Sequence, residues 1–335
     1  MDSPVAKDHI HESFRTNTAM PTHSKGARRY ARLLPIVAAV ALKTYKGNAW
    51  SFSFNVTDRC PIGCSCYWRA QARVKELDDD SIAEFFHGMR RQGFVHATLI
   101  GGEPYVNPRL LERITPIMPT NWIVTSGTTP LRWFPKTTHM ISIDGKDAAT
   151  HNSVRQSAGL FERIEKHLSS ARTQWRGEFP AFAHCVLNAI NFEQVGDILT
   201  YWSGNQLLDG VVFSTATPIR DAKDNHLRLS EKSREWIVEE LMRQKRRFGN
   251  FLCNTESMIQ DVHPLETKQQ TPETCGTAQL TQSFDTAGDR IKRCILSEKA
   301  DCSECGCVIT AIYTSLFTRK HDPATFGMMV RLTTV

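Results

Sequence analysis

Ten cysteines stand at positions 60, 64, 66, 185, 253, 275, 294, 302, 305 and 307, and eight of them fall into two tight groups. Bunched thiolates are a soft donor set that suits zinc or iron–sulfur clusters. A secreted disulfide scaffold is shorter and denser in cysteine than this 335-residue chain. The spacing therefore points to metal ligation in a reducing compartment, and the expected location is cytoplasmic. The first group is Cys60-Pro-Ile-Gly-Cys64-Ser-Cys66-Tyr67. Three thiolates within seven residues can converge on one centre. Tetrahedral structural zinc wants four ligands, and the nearest downstream histidine is His87. Three cysteines fit a [4Fe–4S] cluster with one iron left open for a small molecule, whereas four are usual in a purely electron-transferring cluster.

The second chemical signal is Gly101-Gly102-Glu103-Pro104. Two glycines allow close backbone approach to a ligand, and a glutamate can accept hydrogen bonds from an ammonium group. Alone this segment is a plain turn; one βα unit after a three-cysteine loop it gains weight.

Together these residues carry a resemblance. A three-cysteine loop after the first strand and Gly-Gly-Glu-Pro after the second resemble the radical S-adenosylmethionine (SAM) superfamily. The likeness continues through Thr125-Ser126-Gly127, Ser142-Ile-Asp144-Gly145, His151-Asn-Ser-Val-Arg155 and Gly159-Leu-Phe161, over about residues 50–215. It implies a partial (β/α)6 TIM-like barrel and a [4Fe–4S] cluster on Cys60, Cys64 and Cys66. The open iron would hold the amino and carboxylate groups of SAM. Gly101, Gly102, Glu103 and Pro104 would lie at its amino group, with Ser126 nearby. Ser142, Asp144 and Arg155 would lie at its ribose or carboxylate, and Tyr67 at the adenine. One electron from the cluster would cleave SAM to methionine and a 5′-deoxyadenosyl radical that abstracts a substrate hydrogen. The implied partners are a reductase or a flavodoxin- or ferredoxin-type electron donor and a peptide, lipid or small-molecule substrate. One departure stands out: the usual spacing is Cys-x3-Cys-x2-Cys, while this chain has Cys-x3-Cys-x-Cys, with Tyr67 where the third cysteine is expected.

The second group is Cys275, Cys294, Cys302, Cys305 and Cys307. Cys-x2-Cys-x-Cys is a compact chelating knuckle, and Gly306 suits a tight turn. The arrangement resembles the SPASM or twitch extensions of radical SAM enzymes, which implies an auxiliary Fe–S cluster; a structural zinc knuckle is the alternative. Cys253 is a candidate extra ligand, and Cys185, in an apolar run, reads as a core thiol. His184 faces either the barrel mouth or the core. Asn188 and Asn191 line a pocket or make a turn, and Ser214 and Thr215 end a strand near the site. Lys245-Arg246-Arg247 suits a helix C-terminus.

The elements that must position these residues follow from periodicity. Strands are expected at Trp50–Val56, His96–Ile100, Trp122–Ser126, His139–Ile143, Ala181–Leu187 and Gly210–Ser214. Helices are expected at Asp79–Arg91, Pro108–Met118, Gly159–Ala171, Phe192–Ser203 and Ser230–Arg247. Alternation of this kind reads as parallel βα units in an α/β fold. The barrel is placed at 49–248 and a small Cys-rich C-terminal module at 249–313, with a hairpin turn at Phe284–Arg290. Residues 314–335 carry no clear pattern, and residues 1–27 are polar.

Charge is uneven. Net charge is +6, of which +5 lies in residues 1–48, with eight Lys/Arg and three Asp/Glu. The nearly neutral body gives no sign of a nucleic-acid-binding face. Residues 28–46 join Arg28-Arg29 to the apolar run Leu33–Leu42. The run starts late, contains Pro35 and is too short to span a bilayer. It reads as an amphipathic helix packed on the domain, with peripheral membrane contact as the other reading. Two functions compete: a radical SAM enzyme with an auxiliary cluster, and a metal-stapled binding module or pseudo-enzyme holding zinc or an inert cluster.

Overall fold

The computed structural model describes residues 23–64, 75–175, 177–220, 225–318 and 321–333. Cys66 and Tyr67 lie outside the described residues. The architecture is α/β. Strands β1 (Ser51–Asn55), β2 (His96–Ile100), β3 (Thr120–Thr125), β4 (Thr137–Ser142), β5 (Ala181–Leu187) and β6 (Gly210–Thr215) pair in sequence order, all parallel. This is the partial TIM-like barrel, and each expected strand is present within about two residues. Parallel neighbours demand a crossover, and helices supply it.

The N-terminal helix α1 spans His23–Tyr45, and α2 (Asp79–Arg91), α3 (Pro108–Ile114), α4 (Ala148–Arg155), α5 (Leu160–Trp175), α6 (Val195–Asn205) and α7 (Glu231–Phe248) follow between the strands and after β6. Local chemistry sets their ends. Asp78 accepts from Ser81 N–H at 2.7 Å to cap α2, acids fill its first turn, and Arg90 and Arg91 its last. α3 stops four residues short of Met118 because Pro116 has no N–H to continue the helix. α4 was not anticipated as a separate helix; eight residues with one buried side chain, His151, give too weak a period.

Register separates the two faces of the sheet. Phe52 and Phe54 pack against Phe85 and Phe86 of α2, with ring centroids 5.1–6.1 Å apart. Ser51, Ser53 and Asn55 therefore face the other way, into the barrel. Partners in register share that face, so the interior is lined by His96 and Thr98, Trp122, Thr138, Ser142, His184 and Ser214. In the same register Val124, Met140, Phe182 and Val212 also face inward, so polar and apolar side chains share the lumen, while the other face of each strand meets helices. One hydrophobic core runs through the molecule under the helices.

The cysteine-rich region is not set apart from this sheet. It begins with the short helices α8 (Glu256–Asp261), α9 (Pro264–Thr267) and α10 (Gly276–Leu280). β7 (Thr281–Phe284) then adds parallel to β1, and β8 (Arg290–Ile291) returns antiparallel, giving the order β6-β5-β4-β3-β2-β1-β7-β8. The turn between them is the expected hairpin: Asp285 Oδ1 accepts from the N–H groups of Ala287 and Asp289, and Gly288 takes φ +79°. Residues 300–306 meanwhile bridge antiparallel to Thr215 and Ile219 beyond β6. One segment thus clasps both edges of the six-stranded arc.

The last residues fill the barrel from below. Tyr313, at the end of α11 (Val308–Tyr313), shares hydrogen bonds with Ser51 and Thr281 at 2.9 and 3.2 Å. Leu332 of α12 (Pro323–Leu332) offers its carbonyl to Trp122 Nε1 (2.9 Å) and Thr138 Oγ1 (2.8 Å). The hydroxyls and indole of the lumen are thereby satisfied by the chain's own C-terminal helices.

Candidate functional site

The chain leaves β1 at its carboxyl end and enters the first cysteine loop, at the sheet end where α/β folds place their chemistry. The loop is pinned to the Gly101-Gly102 turn that leaves β2. Gly102 N–H donates to Thr57 O at 2.7 Å and Glu103 N–H to Arg59 O at 2.9 Å. A Cβ on Gly101 would sit 2.7 Å from Thr57 O, and one on Gly102 would lie 2.7 Å from Arg59 C. Both glycines are there because one backbone crosses another, and the backbone they admit is that of the cysteine loop itself. Glu76, on the far side of the loop, accepts from Thr57 Oγ1 (2.8 Å) and Asp58 N–H (2.6 Å). The sequence gives no hint of that role, since Glu76 is an ordinary acid sixteen residues past Cys60. The loop presents Cys60, half-buried, and Cys64, buried, neither in a disulfide.

Glu103 is fully buried, which pushes its carboxyl above the usual range despite four donors that favour the anion. Oε1 accepts from Tyr105 N–H (3.1 Å) and Thr125 Oγ1 (2.7 Å); Oε2 accepts from Ser126 N–H (2.7 Å) and Ser126 Oγ. Its carboxylate joins the turns after β2 and β3, so Ser126 serves Glu103. Pro104 opens a short 3-10 turn and is buried.

After β4, Asp144 is buried and Oδ2 meets Arg155 Nε at 2.5 Å, while Oδ1 accepts from Val186 N–H at 2.8 Å. His151 Nδ1 accepts from Asp144 N–H at 3.0 Å, so its proton is on Nε2. Burial lowers the His151 pKa to about 4. Asn191 Nδ2 donates to Asp144 O at 2.9 Å and Asn188 N–H to Asn191 Oδ1 at 2.7 Å. Both asparagines therefore build the turn after β5. Ser142 shares the interior face with His184, whose Nε2 lies 2.9 Å from Ser214 Oγ. His184 keeps partial exposure toward the mouth, and Ser142, His184 and Ser214 form a polar ledge across three adjacent strands.

The second cysteine group reaches the same mouth from β6. Thr215 N–H donates to Gly306 O at 3.0 Å, Val308 N–H to Ser214 Oγ at 3.1 Å, and Thr217 Oγ1 to Cys305 Sγ at 3.7 Å. Gly306 is not in a left-handed turn. It is glycine because a Cβ there would overlap the Thr215 side chain, which corrects the turn reading. Arg228 pairs with the Glu304 carboxylate, and buried Arg234 donates to Glu304 O at 2.8 Å, holding the knuckle from α7. Cys275 Sγ lies 3.7 Å from Thr310 Oγ1 on α11. Burial and mutual repulsion push the thiols of Cys294 and Cys307 up to about 12, and raise those of Cys302 and Cys305. The five thiols share one neighbourhood, but among the described residues no three His, Cys, Asp or Glu side chains close to metal-binding geometry. Cys253 stands at the opposite end of β6, against Gly210, and is no ligand of this group. Cys185 is a core thiol.

The donor set fits a thiophilic centre on the chemistry of its side chains. The described cysteines of both groups are free thiols that carry soft sulfur, with Cys60 and Cys64 beyond the carboxyl end of β1 and Cys305 beside Thr217 beyond that of β6.

No protein-family profile matches the chain, and no curated protein matches it in sequence. Solved structures do match in fold. Streptococcus suis SuiB bound to precursor peptide SuiA superposes with a TM-score of 0.60 at 12% identity, covering 97% of this chain and 74% of that one. SuiB bound to S-adenosylmethionine gives 0.58 at 10% identity, covering 84% and 67%. The anSMEcpe structure with bound AdoMet and Cp18Cys peptide gives 0.56 at 14% identity, covering 84% and 82%. This chain shares the fold of these structures.

Proposed function

We propose that this chain is a radical SAM enzyme with an auxiliary metal centre, acting on a peptide in a reducing, cytoplasmic setting. The observation that carries the reading is the cysteine loop locked by Gly101-Gly102 at the same mouth as the buried Asp144–Arg155 pair. Cys60 and Cys64, with Cys66, would hold the [4Fe–4S] cluster; bound there, the cluster supplies the electron that cleaves SAM to methionine and a 5′-deoxyadenosyl radical. Glu103 and Ser126 hold the turns flanking that loop in register. Ser142, Asp144 and Arg155 offer hydroxyl, carboxylate and guanidinium groups to a ribose or an amino-acid moiety. The C-terminal helices close the lumen below, so water and substrate enter at the mouth. Cys275, Cys294, Cys302, Cys305 and Cys307 would hold an auxiliary Fe–S cluster, with zinc as the alternative. An external reductase, flavodoxin or ferredoxin would deliver electrons. A peptide is preferred over a lipid or small metabolite because the match covering 97% of this chain is to SuiB with a peptide bound.

Equilibrium dialysis of labelled SAM tests the site. The reconstituted protein is expected to retain SAM, Cys64→Ala to release it, and Asp144→Asn to hold it more weakly. Wild-type protein that holds iron and retains no SAM would favour the binding-module reading, for which the Cys-x3-Cys-x-Cys spacing argues.

A further inference from the structure

Over residues 31–45, helix α1 is apolar on the side that faces away from the protein. Its inner side docks: Leu33 is buried, Ile36, Ala39 and Val40 pack against the core, and Lys43 Nζ donates to Gln92 O at 2.9 Å. A docked helix ordinarily shows water a charged face. Here, of the eight exposed residues between 31 and 45, only Arg32 is charged. Leu34, Pro35, Ala38, Ala41, Leu42 and Tyr45 recur at helical spacing down one outer stripe, about 16 Å long at 1.5 Å per residue. Leu34 is 68% exposed, Leu42 55% and Tyr45 90%. A continuous stripe of this kind is a contact surface rather than the scattered exposure normal for single apolar residues.

Charge identifies the occupant. Residues 23–48 contain six Lys/Arg (25, 28, 29, 32, 43, 46) and no Asp or Glu, while the 287 residues after position 48 are nearly neutral. Cations therefore flank both ends of the stripe. An acidic protein groove would answer the charge but would leave the leucines and the tyrosine unsatisfied. Anionic headgroups over acyl chains answer both, and a tyrosine at the helix end suits that boundary. No described helix is long and apolar enough to cross a membrane, which leaves α1 in the plane of the surface. We propose that the outer face of α1 docks the protein onto anionic lipid bilayers. This inference is independent of the radical SAM reading.

Vesicle flotation of the full-length, cluster-reconstituted protein tests it, with phosphatidylcholine vesicles against phosphatidylcholine–phosphatidylglycerol vesicles at low and high salt. The protein is expected to float with the anionic vesicles and to lose that association at high salt. Leu34→Ser with Leu42→Ser and Tyr45→Ser should lower partitioning more than about tenfold. Arg32→Glu with Lys46→Glu should lower it more than about fivefold per charge. All five side chains are exposed, so the circular dichroism of both variants should match wild type. The proposal is overturned if wild type stays with the soluble fraction, if it floats equally with neutral vesicles, or if the serine variant floats unchanged. It is also overturned if the stripe instead mediates a concentration-dependent dimer that the serine variant abolishes, without vesicle binding.

Discussion

Replacing Gly102 by alanine drives a methyl group into the backbone of the first cysteine loop. The added Cβ would lie 2.7 Å from Arg59 C and 3.0 Å from Asp58 C, and closer still to Arg59 O. These are main-chain atoms and cannot swing aside as a flexible side chain would. Gly102 has no positive φ, so the effect is steric and not a matter of backbone conformation. Relief requires moving the loop away from the turn, which strains or breaks the Gly102 N–H···O Thr57 and Glu103 N–H···O Arg59 bonds. Overpacking costs about 1–3 kcal/mol, and two hydrogen bonds add roughly 0.5–1.5 kcal/mol each. The sum, about 2–6 kcal/mol, is a large share of the ~5–15 kcal/mol that holds a domain folded. Cys60 stands one residue beyond the displaced Arg59, so the thiols move with the loop. Iron counted after anaerobic reconstitution should fall well below wild type, alongside a lowered urea midpoint. Gly204→Ala serves as control: it lies in α6, nothing stands within 4 Å of its Cβ, and the change should be neutral or stabilise by up to about 1 kcal/mol. Wild-type iron content and an unchanged midpoint in Gly102→Ala would refute the reasoning.

Three further outcomes follow. Gly306→Ala forces a methyl group onto the Thr215 side chain, so metal bound by the second cysteine group should drop while the first group keeps its iron; equal loss from both, resolved by counting metal in a Cys60→Ala background, would contradict the separate anchoring. Arg155→Ala strands the buried Asp144 carboxylate and should cost about 3–5 kcal/mol in urea unfolding; a change under about 1 kcal/mol would mean that the pair is solvated. His96, His139 and His151 are buried and held at about 4 from an ordinary 6.5. Between those values the unfolded chain binds protons the folded chain does not, so stability is present above pH 6.5 and is lost as pH falls toward 4, by up to about 1.4 kcal/mol per pH unit per histidine. Glu103, raised by burial, acts in the opposite sense above its ordinary value, but it is one group against four, since burial lowers His184 to about 4 as well. Urea midpoints at pH 7 and pH 5 check this, and a flat profile would count against buried neutral histidines.

The barrel was legible because its signals are local. Six short apolar runs separated by capped, amphipathic helices specify parallel βα units whatever else the chain does. The cysteine loop and the Gly-Gly-Glu-Pro turn were legible as a pair. What each member does locally was less so: Gly101 and Gly102 accommodate a neighbouring stretch of backbone, and the carboxylate of Glu103 is committed to the turns after β2 and β3. These are long-range facts, as is the anchoring by Glu76. The pairing of β7 with β1 joins residues more than two hundred positions apart, and four residues offer no pattern strong enough to foresee it. α12 buries Thr325, Met328 and Leu332 at helical spacing, but Ala324, Phe326, Met329 and Val330 make its other side apolar as well, so its sequence does not announce which face is covered. Gly306 and Gly102 illustrate one lesson: glycine marks a close approach as readily as a turn, and only the fold says which.

The central claim is that the mouth of this barrel cleaves SAM through a cluster held by an unusually spaced cysteine triad. The direct measurement is 5′-deoxyadenosine formed by anaerobically reconstituted protein with SAM and dithionite, beside Cys60→Ala, Cys64→Ala and Cys66→Ala, with iron counted in each. Wild type should form 5′-deoxyadenosine and each variant should not. Wild-type protein that holds its iron and forms none, or a Cys66→Ala variant as active as wild type, would contradict the account.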